Sequence, residues 1–140
     1  MSKELFEVLT LDKVTLSDQT NVGWSDITDT YATLGSPNAN QVEGRIDTIR
    51  DAGVYEVGLS STYSINSTGN SAQARFSLNS GVWETFSRES KDSTDRMSLD
   101  YLFPFTHAGG TFKFDVQMKK ENNSNTMQVF FLNVWFRRIN

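Results

Sequence analysis

Residues 111–119, Thr-Phe-Lys-Phe-Asp-Val-Gln-Met-Lys, alternate strictly between apolar and polar side chains after the first residue. Phe112, Phe114, Val116 and Met118 would share one face of an extended chain, and the polar residues would share the other. This period of two predicts a β-strand with one side in a hydrophobic core and one side in water. The stretch therefore favours an antiparallel sheet, in which one wet face is common.

The segment before this strand repeats the pattern. Apolar residues alternate from Met97 to Phe105, and His107-Ala108-Gly109-Gly110 predicts a turn, so we expect the two segments to form a hairpin. The same period predicts further strands, with turns rich in Asn, Ser and Gly between them, over residues 55–65, 72–78, 82–87, 27–34 and 41–49. No stretch follows a helical period. The chain is expected to be a single domain over residues 1–140, an all-β, antiparallel two-sheet jelly-roll sandwich.

The last strand, predicted over residues 128–139, is apolar on both faces. We assign one face to the core, with Phe130, Leu132, Val134 and Phe136. The other face is predicted to form an interface and carries Val129, Phe131, Asn133, Trp135 and Arg137. A strand that is apolar on both sides must be covered on both sides. Either this chain supplies the second cover or another subunit does.

The N-terminal residues are apolar but follow neither period. Residues 1–20 are expected to form an additional strand or a capsid-docking arm, which would use Leu5, Phe6, Val8, Leu9 and Leu11. Glu4 and Glu7 interrupt this apolar stretch, which a secretory signal would not contain. The sequence has no apolar run long enough for a transmembrane helix, and no membrane partner is expected.

Composition argues against several classes of function. The chain has no Cys and one His, so it lacks thiol chemistry and has little from which to build an acid–base centre. Its net charge of −4 argues against nucleic-acid binding, which needs a basic surface. The charged loop at Asp92–Asp95 lacks the spacing of a calcium loop. We therefore expect no enzyme activity, no catalytic residue, no metal and no cofactor, with His107 in a structural role at its turn.

Four segments together resemble a known family. They are Gly53-Val54-Tyr55-Glu56-Val57, Asn79-Ser80-Gly81, the strand Gly110–Lys119 and the ending Arg137-Arg138-Ile139. Over residues 41–140 the chain resembles the C1q/TNF-like jelly-roll domains of bacteriophage virion proteins, which include capsid decoration proteins, head fibres and receptor-binding tips. This resemblance implies a ten-stranded jelly roll that assembles as a trimer, and it brings no catalytic residue with it.

The expectation that follows is a non-enzymatic viral structural protein. It would bind the major capsid protein on the capsid exterior as a homotrimer and cement the shell, after synthesis in the host bacterial cytoplasm. The alternative is a receptor- or glycan-binding module of a head or tail fibre. In that case the loops at residues 66–70 and 88–95 would contact host surface glycans.

Overall fold

Eight antiparallel strands form the molecule in a computed structural model, which describes residues 14–15, 27–66, 70–89, 96–122 and 125–140. The strands are β1 (Val14–Thr15), β2 (Val42–Arg50), β3 (Gly53–Ile65), β4 (Ser71–Leu78), β5 (Glu84–Glu89), β6 (Met97–His107), β7 (Gly110–Lys120) and β8 (Met127–Arg138). Within these ranges there is no helix, and so no helix that could cross a membrane. The all-β prediction is confirmed.

The strands form two four-stranded sheets. The first sheet has the order β1-β8-β3-β6 and the second has the order β2-β7-β4-β5. Consecutive strands from β1 to β4 alternate between the sheets, which is the connectivity of a jelly roll built from two Greek keys. The predicted jelly-roll sandwich is confirmed.

The core lies between the sheets and is rich in aromatic rings. Phe112 of the second sheet stacks on Phe136 of the first, with 4.5 Å between ring centroids, and Phe76 stacks on Phe103 at 4.8 Å. Alternation predicts the inner face of β7 correctly, because Phe112, Phe114, Val116 and Met118 are all buried. The same holds for the inward residues of β3, which are Tyr55, Val57, Leu59, Tyr63 and Ile65.

The predicted hairpin at residues 107–110 is wrong. β6 belongs to the first sheet and β7 to the second, so the turn carries the chain across the end of the sandwich. Gly109 and Gly110 both have positive φ, 98° and 89°, which permits this abrupt change of direction. Alternation is present in both strands, but it does not identify the partner to which a strand is hydrogen-bonded.

A strand predicted over residues 27–34 is also absent. This segment is a loop that contains one isolated bridge, Thr33 to Ser36, and it buries Ile27 and Ala32. Its polar backbone groups bond to neighbouring segments instead of a strand partner: Ile27 N–H donates to the carbonyl of Met127, and Thr28 N–H to that of Asn40.

The faces assigned to Val129 and Phe130 are exchanged. The β3–β8 register shifts between Thr62 and Tyr63, which pair with Phe131 and Val129, so Phe130 is the extra residue of a β-bulge. Val129 is fully buried in the core, whereas Phe130 is only half-buried and has the Arg96 guanidinium 3.9 Å from its ring centroid. The expected place of Val129 in an interface and of Phe130 in the core is therefore wrong.

Candidate functional site

The outer face of the first sheet carries two adjacent rows of side chains across three strands. Register aligns Trp135 of β8 with Gly58 of β3 and Leu102 of β6. The neighbouring row consists of Asn133, Ser60 and Asp100 on the same three strands. An aromatic and aliphatic row thus lies directly beside a row of amide, hydroxyl and carboxylate groups.

The Trp135 indole lies flat on the backbone of Gly58. A Cβ atom at Gly58 would be 2.3 Å from Cζ2 of the indole and 2.5 Å from Cε2, so only glycine leaves room for the ring in this position. One face of the ring therefore covers β3. Beside it is a shallow depression of about 320 Å³, lined by Leu59, Asp100, Tyr101, Leu102 and Trp135.

The polar row contains an acceptor without a partner. The Oδ1 atom of Asn133 is buried and accepts no hydrogen bond among the described residues. By contrast, Arg137 and Glu56 at one end of the face form an ion pair with Nε 2.7 Å from Oε1. A buried carbonyl oxygen without a donor carries an energetic cost.

These groups together can bind a small polyhydroxylated ligand. An indole face packs on the apolar C–H face of a pyranose ring, while carboxylate, amide and hydroxyl groups beside it bond the hydroxyls at the ring's edge. His107 is buried and 2% exposed, with Asn79 Nδ2 3.1 Å from its Nδ1 and the Gly110 carbonyl oxygen 3.3 Å from its Nε2. Among the described residues, no three carboxylate or imidazole groups cluster as metal ligands would.

The outer face of the second sheet is different, because its polar side chains bond one another. Asp115 Oδ1 accepts a hydrogen bond from Arg45 Nε at 2.6 Å, and Gln117 donates to Glu43 at 2.6 Å. Gln117 Oε1 in turn accepts two bonds from Arg75, at 2.6 and 2.8 Å. The hydrogen bond to Asp115 and the neighbouring carboxylates raise the pKa of Arg45 above its usual value.

Two aromatic rings cover this network. The Arg75 guanidinium lies 4.3 Å from the ring centroid of Tyr31 and 4.1 Å from that of Trp83. Burial raises the pKa of Tyr31, and the charge of Arg75 opposes that rise. These two contacts of Arg75 hold the loop of residues 27–41 and the β4–β5 connection against the sheet. Tyr31 and Trp83 therefore make contacts within the chain.

Several predicted site residues can now be placed. Phe131, Asn133, Trp135 and Arg137 lie on the outer face of the first sheet, and their role in an interface stays a prediction. The arm residues Leu5, Phe6, Val8, Leu9 and Leu11 lie outside the described residues, as do residues 67–69 and 90–95 of the loops assigned to glycan contact. Gly58 and Asp100 were missed, because their place beside Trp135 depends on pairing between distant segments.

Comparisons with known proteins identify no family for this chain. No family model and no curated protein matches the chain. Among solved structures it is similar to a CBM35 carbohydrate-binding module from Cellvibrio japonicus, at 15% identity and a TM-score of 0.47, covering 91% of this chain and 98% of that one. It is also similar to a CBM61 module solved with β-1,4-galactotriose, at 12% identity and a TM-score of 0.45, covering 87% and 89%.

A third similar structure is the CBM36-1 domain of a xylanase from the hindgut metagenome of Trinervitermes trinervoides. The identity is 14% and the TM-score is 0.45, covering 84% of this chain and 96% of that one.

Proposed function

We propose that this chain is a non-catalytic glycan-binding module whose site is the outer face of the first sheet. The observation that carries the proposal is the Trp135 indole, held flat on Gly58 beside the row of Asn133, Ser60 and Asp100. The solved structures named above include carbohydrate-binding modules, but their TM-scores are below 0.5. The proposal therefore rests on the residues of this face.

A sugar ring would stack on the exposed side of Trp135. Its hydroxyls would then reach the polar row, where the exposed Asp100 carboxylate accepts hydrogen bonds and the Asn133 side chain, whose Oδ1 is buried without a partner, would turn outward to gain a donor. Leu102, which is 56% exposed, would pack against the apolar edge of the same ring or of the next one. The proposed site lies on strands, whereas the sequence analysis placed glycan contact on the loops at residues 66–70 and 88–95, and that placement stays a prediction.

The test is binding of the full chain to a panel of soluble polysaccharides by affinity electrophoresis, followed by calorimetry with oligosaccharides of any that retard it. Trp135→Ala should weaken binding at least about tenfold, because it removes the central aromatic contact. Trp83→Ala is the matched control: it removes an indole from the opposite sheet, where it stacks on Arg75, and should leave affinity unchanged.

Gly58→Ala tests the geometry without removing the indole. The added methyl group would overlap the ring at 2.3 Å and force it off the strand, so binding should fall as it does for Trp135→Ala. Circular dichroism of each variant checks that the sheets are intact. Binding that survives both Trp135→Ala and Gly58→Ala would refute the site, and failure of every polysaccharide to bind would refute the function.

A second candidate function is the trimeric capsid decoration protein that the C1q/TNF-like resemblance implies, located on the virion exterior. What favours it is the same face, where Phe131, Trp135 and Leu102 are partly exposed beside the unpartnered Asn133. Light scattering after size exclusion separates the two functions. A mass three times that of the chain, unchanged by oligosaccharide and reduced in Trp135→Ala, would favour the trimer.

A further inference from the structure

Three arginines have no acidic or amide side-chain partner among the described residues: Arg96, which is exposed, and Arg50 and Arg138, which are half-buried. Arg45, Arg75 and Arg137 each hydrogen-bond a carboxylate or amide side chain on a neighbouring strand. Arg50 and Arg138 form no such bond and no ion pair among the described residues. In a chain with a net charge of −4, two half-buried guanidinium groups that pair with no carboxylate side chain among the described residues require an explanation.

Both arginines line one pocket at the end of the sandwich. The pocket has a volume of about 170 Å³ and is lined by Ile49, Arg50, Asp51, Tyr55 and Arg138. Arg50 is the last residue of β2 in the second sheet, and Arg138 is the last residue of β8 in the first. Each sheet therefore contributes one positive charge to the same small space.

Arg50 has an N–H group that lacks an acceptor. Its Nε is buried and without a hydrogen-bond partner, and its Nη1 donates only a long bond of 3.3 Å to the carbonyl of Ile49. The guanidinium is also held in place, because its Cζ lies 5.3 Å from the ring centroid of Phe136 in the core. A buried charged donor without an acceptor is costly. Because this Nε is closed to solvent, an acceptor from outside the chain would meet the Arg50 guanidinium at its Nη groups.

Arg138 is fixed by the backbone and keeps donors to spare. Its Nη2 donates to the carbonyl of Ala52 at 3.1 Å, and its Nε donates to the backbone oxygen of Asn140 at 3.4 Å. A guanidinium has more N–H groups than these two bonds use. Asp51 is the one acidic residue lining the pocket; its carbonyl accepts the Tyr55 hydroxyl, and its carboxylate pairs with neither arginine.

We propose that Arg50 and Arg138 form a binding site for one small oxyanion group, a carboxylate or a sulfate. Guanidinium groups match such groups because two parallel N–H groups face two oxygens. The pocket is small, so the ligand would place only its anionic group there. This site lies at the end of the sandwich and uses none of the residues around Trp135, so it stands independently of the proposed function. The group could come from a free inorganic anion or from a sugar acid.

The experiment follows the arginine Nε–Hε signals of the 15N-labelled full chain by NMR at constant ionic strength. It is titrated separately with sodium sulfate, sodium glucuronate and glucose. We expect the signals of Arg50 and Arg138 to shift in a saturable way with sulfate, glucuronate or both, and not with glucose. Tighter binding of glucuronate would identify a sugar carboxylate as the natural group, and tighter binding of sulfate would identify an inorganic or ester sulfate.

Variants separate the site from general charge effects. Arg50→Gln should lower the affinity for the tighter anion at least about tenfold, whereas Arg50→Lys, which keeps the charge but not the paired donors, should fall between it and the unaltered chain. Arg96→Gln removes the same charge from an exposed residue and should have no effect. The proposal is overturned if neither anion shifts the two signals, or if Arg96→Gln weakens binding as much as Arg50→Gln. Trp135→Ala should leave this titration unchanged even if glycan binding is lost.

Discussion

The two outer faces of the sandwich use polar residues in opposite ways. On the second sheet, the buried Asp115 and Gln117 accept hydrogen bonds from Arg45 and Arg75, and Gln117 donates to the buried Glu43, beneath a loop held by Tyr31. On the first sheet, Trp135 lies beside an amide oxygen without a donor. The second sheet's polar side chains mostly bond one another, although Asp115 Oδ2 and the Tyr31 hydroxyl are buried without a partner. The first sheet differs because its polar row lies beside the partly exposed Trp135 and the exposed Leu102, and this exposed apolar surface locates the candidate site.

The largest expected effect comes from removing a hydrogen-bonded side chain from the outer face of the second sheet. Asp115→Ala removes the partner of Arg45, which is 31% exposed and so recovers part of the loss by hydration. We expect the free energy of unfolding to fall by about 2 kcal/mol. Asp47→Ala, an exposed carboxylate on the same sheet, is the control and should change stability by less than about 0.5 kcal/mol. Urea unfolding monitored by circular dichroism gives both values; equal effects would mean that the network contributes nothing special.

A smaller effect is expected on the outer face of the first sheet, where a substitution should change ligand affinity more than stability. Asn133→Ala removes an amide oxygen that has no hydrogen bond to lose, so unfolding should change by no more than about 1 kcal/mol. Binding of any oligosaccharide that the unaltered chain recognises should weaken about tenfold, because the ligand would lose a hydrogen bond at the polar row. Calorimetry and urea unfolding on the same preparation separate the two quantities. A large loss of stability with unchanged affinity would show that Asn133 is structural.

The smallest expected effect is on the pH dependence of stability, and it concerns Tyr31, which covers the outer face of the second sheet. Burial raises the pKa of Tyr31, so the native state holds its phenol proton more tightly than the unfolded state, whose tyrosine pKa is about 10. This contribution is complete below pH 10 and is lost as the pH rises through the native pKa of Tyr31. The Tyr31 hydroxyl is buried without a hydrogen-bond partner, so Tyr31→Phe should be within about 1 kcal/mol of the unaltered chain at pH 7.

Above pH 10 the two proteins should diverge. The unaltered chain should lose stability more steeply with pH than Tyr31→Phe, because only the former has a phenol that ionises more readily when unfolded. Urea midpoints at pH 7 and pH 10.5 measure this difference. Parallel loss in both proteins would assign the alkaline sensitivity to other groups.

Side-chain alternation predicted the strands whose faces differ clearly, and it failed where a face depends on distant partners. The inner residues of β3 and β7 follow from period two alone. Val129 could not be assigned in this way, because the bulge at Phe130 exists only in the pairing of β8 with β3. For the same reason, the sequence identified only part of the candidate site. Trp135 and Asn133 lie on a strand that is apolar on both faces. Gly58 lies beside them only because of the register in which β3 pairs with β8.

The jelly-roll connectivity has a consequence for how the chain folds. Of the six strand pairings among the described residues, β4 with β5 is the one between consecutive strands, while β1 and β2 pair with β8 and β7. The formation of nearly every strand pair must therefore close a long loop before its hydrogen bonds and core contacts can offset the conformational entropy lost by the chain. We expect refolding in milliseconds to seconds, with the β4–β5 hairpin as the local structure that forms first.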